Sequence, residues 1–200
     1  MALFKSSELL AKGQRVVALA NSRGGFVKAA GTILGESARA ASPTRDFDIF
    51  LSHAYLDATL VAGLEADIED MGFTVYVDWM QDAHLQRTKV DKATAELLRC
   101  RLKQCKSLFF ATSDNSATSK WMPWECGYFD GMKGRVAICP ISMQATESDY
   151  VGQEYLSLYP YIQKDSPQGS DTPTLWVHDT RTKYMIFRQW IAGQDPTERG

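Results

Sequence analysis

The chain has 200 residues, of which 44% are hydrophobic and 11% aromatic, so it is long and apolar enough to bury a sizeable core. A formal net charge of −2 and a pI of about 5.9 give no whole-chain argument for binding nucleic acid. No signal peptide is visible and no stretch approaches the roughly 18 apolar residues of a membrane span, so we expect a cytoplasmic protein.

The N-terminal segment differs from the rest of the chain in charge and in pattern. Residues 1–46 hold seven Lys/Arg against three Asp/Glu, a formal charge of +4, whereas the remaining residues carry −6. The segment follows a helical pattern that breaks at Gly24-Gly25 and at Gly31, and the region around Ser42-Pro43 reads as a linker. This basic segment is either a solvated face or a surface that lies against the acidic body or a partner.

From residue 46 onward, short apolar strands alternate with helices. The predicted strands are Phe47–Ser52, 73–77, 107–112, 135–141 and 174–177. The first predicted helix begins near Leu60 and ends before Gly72. The other predicted helices span 90–104, 122–132 and 149–162. The segment 183–192 closes the pattern with an apolar stripe. This alternation predicts an α/β fold with a doubly wound parallel sheet and right-handed crossovers.

Polar residues follow the predicted strands at the points where those strands end. Ser52 ends the first strand, Asp78 the second, and Ser113 the third. Glu125 comes one loop later, in the first turn of a helix, and the polar loop 78–89 is long enough to indicate a function. Ligands of such sheets bind beyond the carboxyl ends of the strands, so we expect these groups to gather along one edge.

The spacing of the cysteines and the absence of several short catalytic motifs exclude several kinds of chemistry. No CxxC pair occurs, and the three histidines do not flank the cysteines at zinc spacing, so we expect buried free thiols and no metal. The chain also lacks GxGxxG, GxxxxGK[ST], HExxH and GxSxG motifs, which excludes classical dinucleotide, P-loop, zincin and serine-hydrolase sites. The cysteines are Cys100, Cys105, Cys126 and Cys139, and the histidines are His53, His84 and His178.

Four motifs, in the right order, resemble those of Toll/interleukin-1 receptor (TIR) domains, most closely the bacterial ones. The first is the Asp-Ile-Phe-Leu-Ser-His-Ala run 48–54 with Asp57 after it. The second strand with its terminal aspartate (72–78) and the third strand ending in serine (107–113) also match. The fourth is Ser-x-Trp-x-x-x-Glu at 119–125. The resemblance divides the chain into a helical N-terminal extension and linker (1–45), a TIR domain (46–192) and a tail (193–200).

The resemblance implies a flavodoxin-like sheet of five parallel strands with helices on both faces. It also implies a bacterial NADase of the anti-phage, Thoeris-like type, which cleaves NAD⁺ at the nicotinamide–ribose bond. The products would be nicotinamide and ADP-ribose or a cyclic ADP-ribose-type signal. NAD⁺ would be the substrate, with no separate cofactor. The implied partners are other TIR domains in self-association and a downstream effector that senses the nucleotide product; no nucleic acid or membrane is expected.

The glutamate that the family requires maps onto Glu125. Cleavage of the nicotinamide–ribose bond builds positive charge on the ribose, and a nearby carboxylate stabilises that charge and binds the ribose hydroxyls. Considered without the family, Glu125 is simply a favourable acid in the positive first turn of a helix, where Pro123 also fits.

Five further residues are candidate substrate contacts, and each has a structural alternative. Trp121 shares a helix face with Glu125 but equally suits core packing. Trp79 begins the long loop and either stacks on a base or on nicotinamide, or packs. Ser52 and Ser113 hydrogen-bond ribose or phosphate, or cap the next turn. Asp78 binds a ribose hydroxyl or, as we prefer, anchors its own loop.

The first motif departs from the family pattern at one position. Many members carry an arginine two or three residues after the first-strand serine, where this chain has Ala54 and Tyr55. A phosphate or carboxylate contact from that position is therefore not expected. Arg87 or Lys89 in the long loop either substitutes for it or is simply solvated. His53 is expected to be structural.

Two other functions fit the same pattern. One is a non-catalytic module that acts only through TIR–TIR assembly, with the loop 78–89 as its contact surface. The other is a nucleoside deoxyribosyltransferase-like enzyme, which shares the fold and uses a glutamate nucleophile. Turnover of NAD⁺ or of free deoxyribonucleosides, or of neither, separates the three.

Overall fold

The computed structural model describes residues 2–22, 45–54, 57–78, 91–142, 150 and 154–199. Its helices are α1 (Ser6–Ser22), α2 (Ala58–Asp70), α3 (Lys92–Gln104), α4 (Met122–Lys133) and α5 (Phe187–Ile191). Its strands are β1 (Phe4–Lys5), β2 (Phe47–Ser52), β3 (Val75–Tyr76), β4 (Cys105–Thr112), β5 (Val136–Ser142), β6 (Tyr161–Asp165), β7 (Thr174–His178), β8 (Lys183–Ile186) and β9 (Thr197–Glu198). Within the described residues, 3₁₀ turns lie at Ser116–Thr118 and Glu154–Leu158.

The strands form one sheet in the order β3-β2-β4-β5-β6-β7-β8-β9. The first five of these pair in parallel, which confirms the predicted doubly wound α/β fold. The last three continue the sheet in antiparallel pairing. Strands β2 and β4 read as nearly continuous apolar runs because they lie in the middle of the parallel region and are covered on both faces.

Near the C-terminus one predicted element is wrong, and a second is confirmed as a strand but runs in the opposite direction. The helix predicted over 149–162 is a short 3₁₀ turn followed by β6, the fifth parallel strand, among the residues that the structure describes there. Pro160 disfavours a helix across this point, and Tyr161 and Ile162 are buried in the sheet instead. The strand predicted over 174–177 exists as β7 but is antiparallel, because the connection from β6 is too short for a parallel crossover.

The closing segment 183–192 combines two elements. It begins as β8 and becomes the short helix α5 at Phe187. The apolar stripe expected of the segment is partly realised: Phe187 and Trp190 are buried, and Phe187 contacts Phe73 and Phe109 through edge-on ring packing. The alternation of β8 places Met185 in the core and leaves Tyr184 half-buried, so a period of two replaces the helical period there.

The sheet separates two apolar cores. In β2, Ile49 and Leu51 belong to the core that includes Leu64 of α2, together with side chains of α1 and α5. The intervening Phe50 belongs to the opposite core, which includes side chains of α3 and α4 such as Leu98. Successive residues of a strand point to opposite faces, so Ser52 continues the row of Phe50 towards α4. Helices therefore cover both faces of the sheet, as predicted.

Three of the four cysteines are buried. Cys105, Cys126 and Cys139 are enclosed, and burial raises the pKa of each thiol, that of Cys126 to about 11. Cys100 is exposed because it lies on the outer face of α3, whose inner face carries Leu98 and Leu102. All four are free thiols, as expected, but the expectation of burial is wrong for Cys100. No described helix has both the length and the apolar character needed to cross a membrane.

Candidate functional site

Helix α4 places Glu125 against the sheet. The buried residues of this helix are Met122, Glu125, Cys126 and Phe129, a spacing that puts all four on one helical face. Pro123 fits the first turn because that turn has no intrahelical partner for a backbone N–H. Glu125 is therefore buried together with the apolar residues on the same face of the helix, and its exposed fraction is 0%.

Ser52 hydrogen-bonds the Glu125 carboxylate. The Ser52 hydroxyl, at the carboxyl end of β2, donates to Glu125 Oε2 at 2.6 Å, and both residues have an exposed fraction of 0%. Hydrogen bonds to a carboxylate are shorter and stronger than those between neutral groups. The structure thus brings together two of the predicted site residues, with Ser52 fixing the orientation of the acid.

We expect Ser52→Ala to weaken both the fold and the activity that the family resemblance implies. The substitution removes one hydrogen-bond donor from a buried carboxylate, and such losses cost about 1–3 kcal/mol in free energy of unfolding. The measurements are urea unfolding and kcat for nicotinamide release. The matched control is Ser52→Thr, which keeps the hydroxyl and should retain most of both quantities. Equal losses in the two variants would contradict the role given to the hydrogen bond.

Ser113 lies in a second polar cluster, which faces α2. The Ser113 hydroxyl donates to Asp57 Oδ2, and Asn115 Nδ2 donates to Asp57 Oδ1 at 2.6 Å. Asp57 precedes α2, and the other two residues follow β4, so the cluster ties together two loops at the carboxyl edge of the sheet. We call Asp57, Ser113 and Asn115 the edge clasp.

Asn115 has no assigned role in the sequence-based prediction. Asparagine is common in turns between a strand and a helix, so its residue type carries no distinct signal there. The sequence identifies Asp57 as the acid that follows the first motif, but it does not predict which residues Asp57 contacts. Their pairing depends on the approach of two loops that are distant in the chain.

Asp78 and His53 are enclosed together. Each has an exposed fraction of 1%, and His53 Nε2 lies 3.5 Å from Asp78 Oδ1. The Nδ1 atom of His53 lies 2.8 Å from the backbone oxygen of Leu51. Both side chains are therefore enclosed, and the anchoring role preferred for Asp78 and the structural role expected of His53 stay predictions.

Trp121 lies at the start of α4, next to an aromatic row. Its exposed fraction is 6%, and its ring meets that of Trp124 edge-on at 5.4 Å. Trp124 in turn stacks on Tyr128, and the Arg99 guanidinium lies over the Trp124 ring at 5.5 Å. The burial of Trp121 fits its alternative role as packing for the first turn of α4.

The other predicted contact, Trp79, lies outside the described residues, and so do Tyr55, Arg87 and Lys89. The described residues around the edge clasp border two cavities. One is about 320 Å³ and lies between α1, the start of α2 and the loop after β4; its lining includes Ser6, Leu10, Asp57, Ser113 and Asn115. The other, of about 660 Å³, lies on the α4 side of the same loop, where Pro123 contributes to the wall.

Cys126 follows Glu125 on α4 but is unsuited to act as a nucleophile. Burial raises the pKa of its thiol to about 11, because the thiolate form is penalised in this enclosed position. A hydrogen bond with Tyr159 opposes this rise, and the nearby Asp130 and Glu125 add to it. The thiol is therefore protonated at neutral pH, and Glu125 remains the candidate acid or base on this face of α4.

Comparison with known proteins yields two informative relatives, although no protein-family model matches the chain. The chain is 48% identical over 164 residues to a Bacillus cereus (strain MSX-D12) protein described as "Probable 3′ cyclic ADP-D-ribose synthase ThsB′". That match covers 82% of this chain and 85% of the relative. It is also 31% identical over 83 residues to the "Putative cyclic ADP-D-ribose synthase TIR2" of Cytobacillus dafuensis, covering 41% of this chain and 22% of that protein.

Proposed function

This chain belongs to the bacterial TIR-domain family of the Thoeris type, and on that premise we propose that it cleaves the nicotinamide–ribose bond of NAD⁺. The products are nicotinamide and a cyclic ADP-ribose, with linear ADP-ribose as the outcome when water attacks instead. The observation that carries the proposal is the Glu125 carboxylate, buried at the carboxyl edge of a parallel sheet and held by Ser52 at 2.6 Å. Both relatives are described as cyclic ADP-D-ribose synthases, which supports a cyclic product.

The chemistry assigned to Glu125 is electrostatic. As the bond to nicotinamide breaks, its electron pair leaves with the nicotinamide nitrogen, and positive charge develops on the ribose carbon and ring oxygen. A carboxylate beside that ribose stabilises the charge, and an enclosed position strengthens the effect because water does not screen it. The substrate's own hydroxyl or ring nitrogen then attacks the ribose carbon, and one proton is released in the cyclisation.

The remaining candidate residues receive supporting roles in this proposal. Ser52 orients Glu125, and Trp121 packs behind the first turn of α4. Ser113 acts through the edge clasp, and Asp78 anchors the end of the second parallel strand beside His53. Trp79 is proposed as the aromatic contact to the nucleotide. NAD⁺ is the substrate, and the proposal requires neither a separate cofactor nor a metal.

The burial of Glu125 bears on regulation. A side chain with an exposed fraction of 0% reaches a dissolved substrate only after neighbouring segments rearrange. We propose that self-association through TIR–TIR contacts promotes this opening, so that the monomer is weakly active. The cytoplasm, which supplies NAD⁺, is the proposed location, and an effector that senses the cyclic product is the proposed downstream partner.

The test is incubation of the purified full chain with NAD⁺ across a range of protein concentrations. Nicotinamide release is followed by chromatography, and the mass of the second product separates a cyclic nucleotide from ADP-ribose, which is heavier by one water. Parallel incubations contain free deoxyribonucleosides. Nicotinamide release that rises more steeply than protein concentration supports the proposal. Turnover of deoxyribonucleosides alone would assign a deoxyribosyltransferase, and no turnover in any assembly state would assign an interaction module.

A further inference from the structure

The N-terminal helix α1 packs unusually close to α2. A side-chain carbon added to Gly13 would lie 1.9 Å from the backbone oxygen of Thr59, and one added to Gly63 would lie 1.9 Å from that of Leu9. The contact is reciprocal, since each helix presents a glycine to the backbone of the other. Real side-chain carbons do not approach backbone oxygens so closely, so this crossing requires glycine at both positions.

Ion pairs hold the same two helices. Lys12 Nζ lies 2.8 Å from Asp67 and 2.6 Å from Asp70, both on α2, and Lys164 of β6 lies 2.7 Å from Asp67. Burial opposes charge on Asp67, but the two lysines outweigh it and lower the pKa of this carboxyl below its usual value. These contacts fix the rotation and translation of α1 along α2.

The residues before α1 join the sheet at its carboxyl edge. Strand β1 pairs in parallel with the end of β5, matching Phe4 with Ile141 and Lys5 with Ser142. Ala2 exchanges two backbone hydrogen bonds with Lys164. Phe4 has an exposed fraction of 0%, so the segment is packed as core and not as a loose tail. Residues 2–22 are thus anchored at two places, the sheet edge and α2.

This anchored segment borders the edge clasp. The cavity of about 320 Å³ is walled on one side by Ser6 and Leu10 of α1 and on the other by Asp57, Ser113 and Asn115. Gly13 contacts the first turn of α2 at Thr59, two residues after Asp57. The loop that Asp57 holds leads directly through the 3₁₀ turn Ser116–Thr118 into α4. A continuous set of packed contacts therefore runs from α1 to the helix that carries Glu125.

We propose that α1 is a positioning element of the active site: it sets the placement of α2, and Asp57, directly before α2, holds the loop that precedes Glu125. The proposal rests on the proposed function, because the positioned group is the carboxylate assigned to bond cleavage. It assigns the N-terminal residues 2–22 a role in positioning the active site. Gly13 and Lys12 act only through other residues and are positioning residues, not catalytic ones.

The test is Gly13→Ala in the full chain, which forces α1 away from Thr59. We expect kcat for nicotinamide release to fall about ten- to hundredfold, because a displacement of about 1 Å in a reacting group costs up to about 100-fold. KM should change by less than about threefold, since binding contacts are not removed. Hydrogen–deuterium exchange should become faster at residues 113–119, although the substitution lies in α1.

Two control variants separate positioning from a general effect of substitution. Gly131→Ala makes the same change on α4, where the added carbon meets nothing within 4 Å, and Gln14→Ala changes the exposed neighbour of Gly13. Both should match the wild type in kcat and in exchange at 113–119. If Gly13→Ala folds cooperatively and retains wild-type kcat, or if exchange at 113–119 is unchanged, the inference is overturned.

A second variant keeps the inference testable if Gly13→Ala does not fold. Lys12→Gln removes the two ion pairs to α2 without a steric clash, and the same pattern of lower kcat, similar KM and faster exchange at 113–119 is expected at a smaller size. Wild-type behaviour of a folded Lys12→Gln would then overturn the inference. If the wild type releases no nicotinamide, the proposed function fails, whereas the exchange measurement still tests the coupling between α1 and the loop.

Discussion

Glu125→Gln is expected to lower nicotinamide release about 100- to 1,000-fold while leaving the fold intact. The amide has nearly the volume of the carboxylate and still accepts the Ser52 hydrogen bond, but it lacks the negative charge that stabilises the developing positive charge on the ribose. Removal of one preorganised electrostatic group typically costs a factor in that range. The measurement is kcat for nicotinamide release at saturating NAD⁺, together with thermal unfolding of both proteins.

Thermal unfolding distinguishes a loss of charge at residue 125 from a loss of structure. Replacing a fully buried carboxylate by a neutral group of the same shape removes a desolvation penalty, so Glu125→Gln should be as stable as the wild type or more stable. Glu96→Gln, the same change at an exposed position of α3, is the matched control and should retain full activity. Full activity in Glu125→Gln would remove the basis for the proposed mechanism.

Trp121→Ala is expected to lower the free energy of unfolding by about 3–5 kcal/mol, the usual range for truncating a buried tryptophan. The ring has an exposed fraction of 6% and packs within the core that includes Phe50, Phe110 and Met122. Its loss opens a cavity beneath the first turn of α4. Urea unfolding monitored by circular dichroism measures the effect.

Trp121→Phe separates the two roles predicted for this residue. Phenylalanine fills much of the space, so a packing role predicts a considerably smaller loss of stability and nearly unchanged KM for NAD⁺. A substrate contact through the indole ring predicts the reverse, a stable protein with a raised KM. Trp124→Ala, at the half-buried neighbour on the same turn, is the control for surface truncation and should destabilise less than Trp121→Ala.

The parallel core of the sheet and the position of the acid follow from local patterns. Apolar runs such as 47–52 and 107–112, separated by helical spacing, specify strands that are buried on both faces. The row Met122, Cys126 and Phe129 specifies which face of α4 is buried, and Glu125 lies within that face. These features are predictable because each depends on residues within one or two turns of one another.

The C-terminal third of the fold is less predictable from the sequence, and the reason is physical. Residues 161–165 contain two apolar side chains followed by polar ones, a pattern too short to distinguish a strand from a helix end. Their strand conformation arises from pairing with β5 and β7, which the local sequence does not encode. The antiparallel direction of β7 likewise depends on the hairpin that joins it to β6.

The α/β class is predictable from the sequence because strand and helix periodicity are local properties of the chain, and the order of four short motifs carries the family resemblance that points to Glu125. Which polar groups meet depends on how whole elements pack: Ser52 meets Glu125 on one face of the sheet, and Asp57 meets Ser113 and Asn115 on the other. The close approach of α1 and α2 at Gly13 and Gly63 likewise depends on tertiary packing. Such contacts form only when two backbone segments lie at a particular distance and orientation. The packing of whole helices and strands sets that geometry, and residues that are neighbours in the sequence do not.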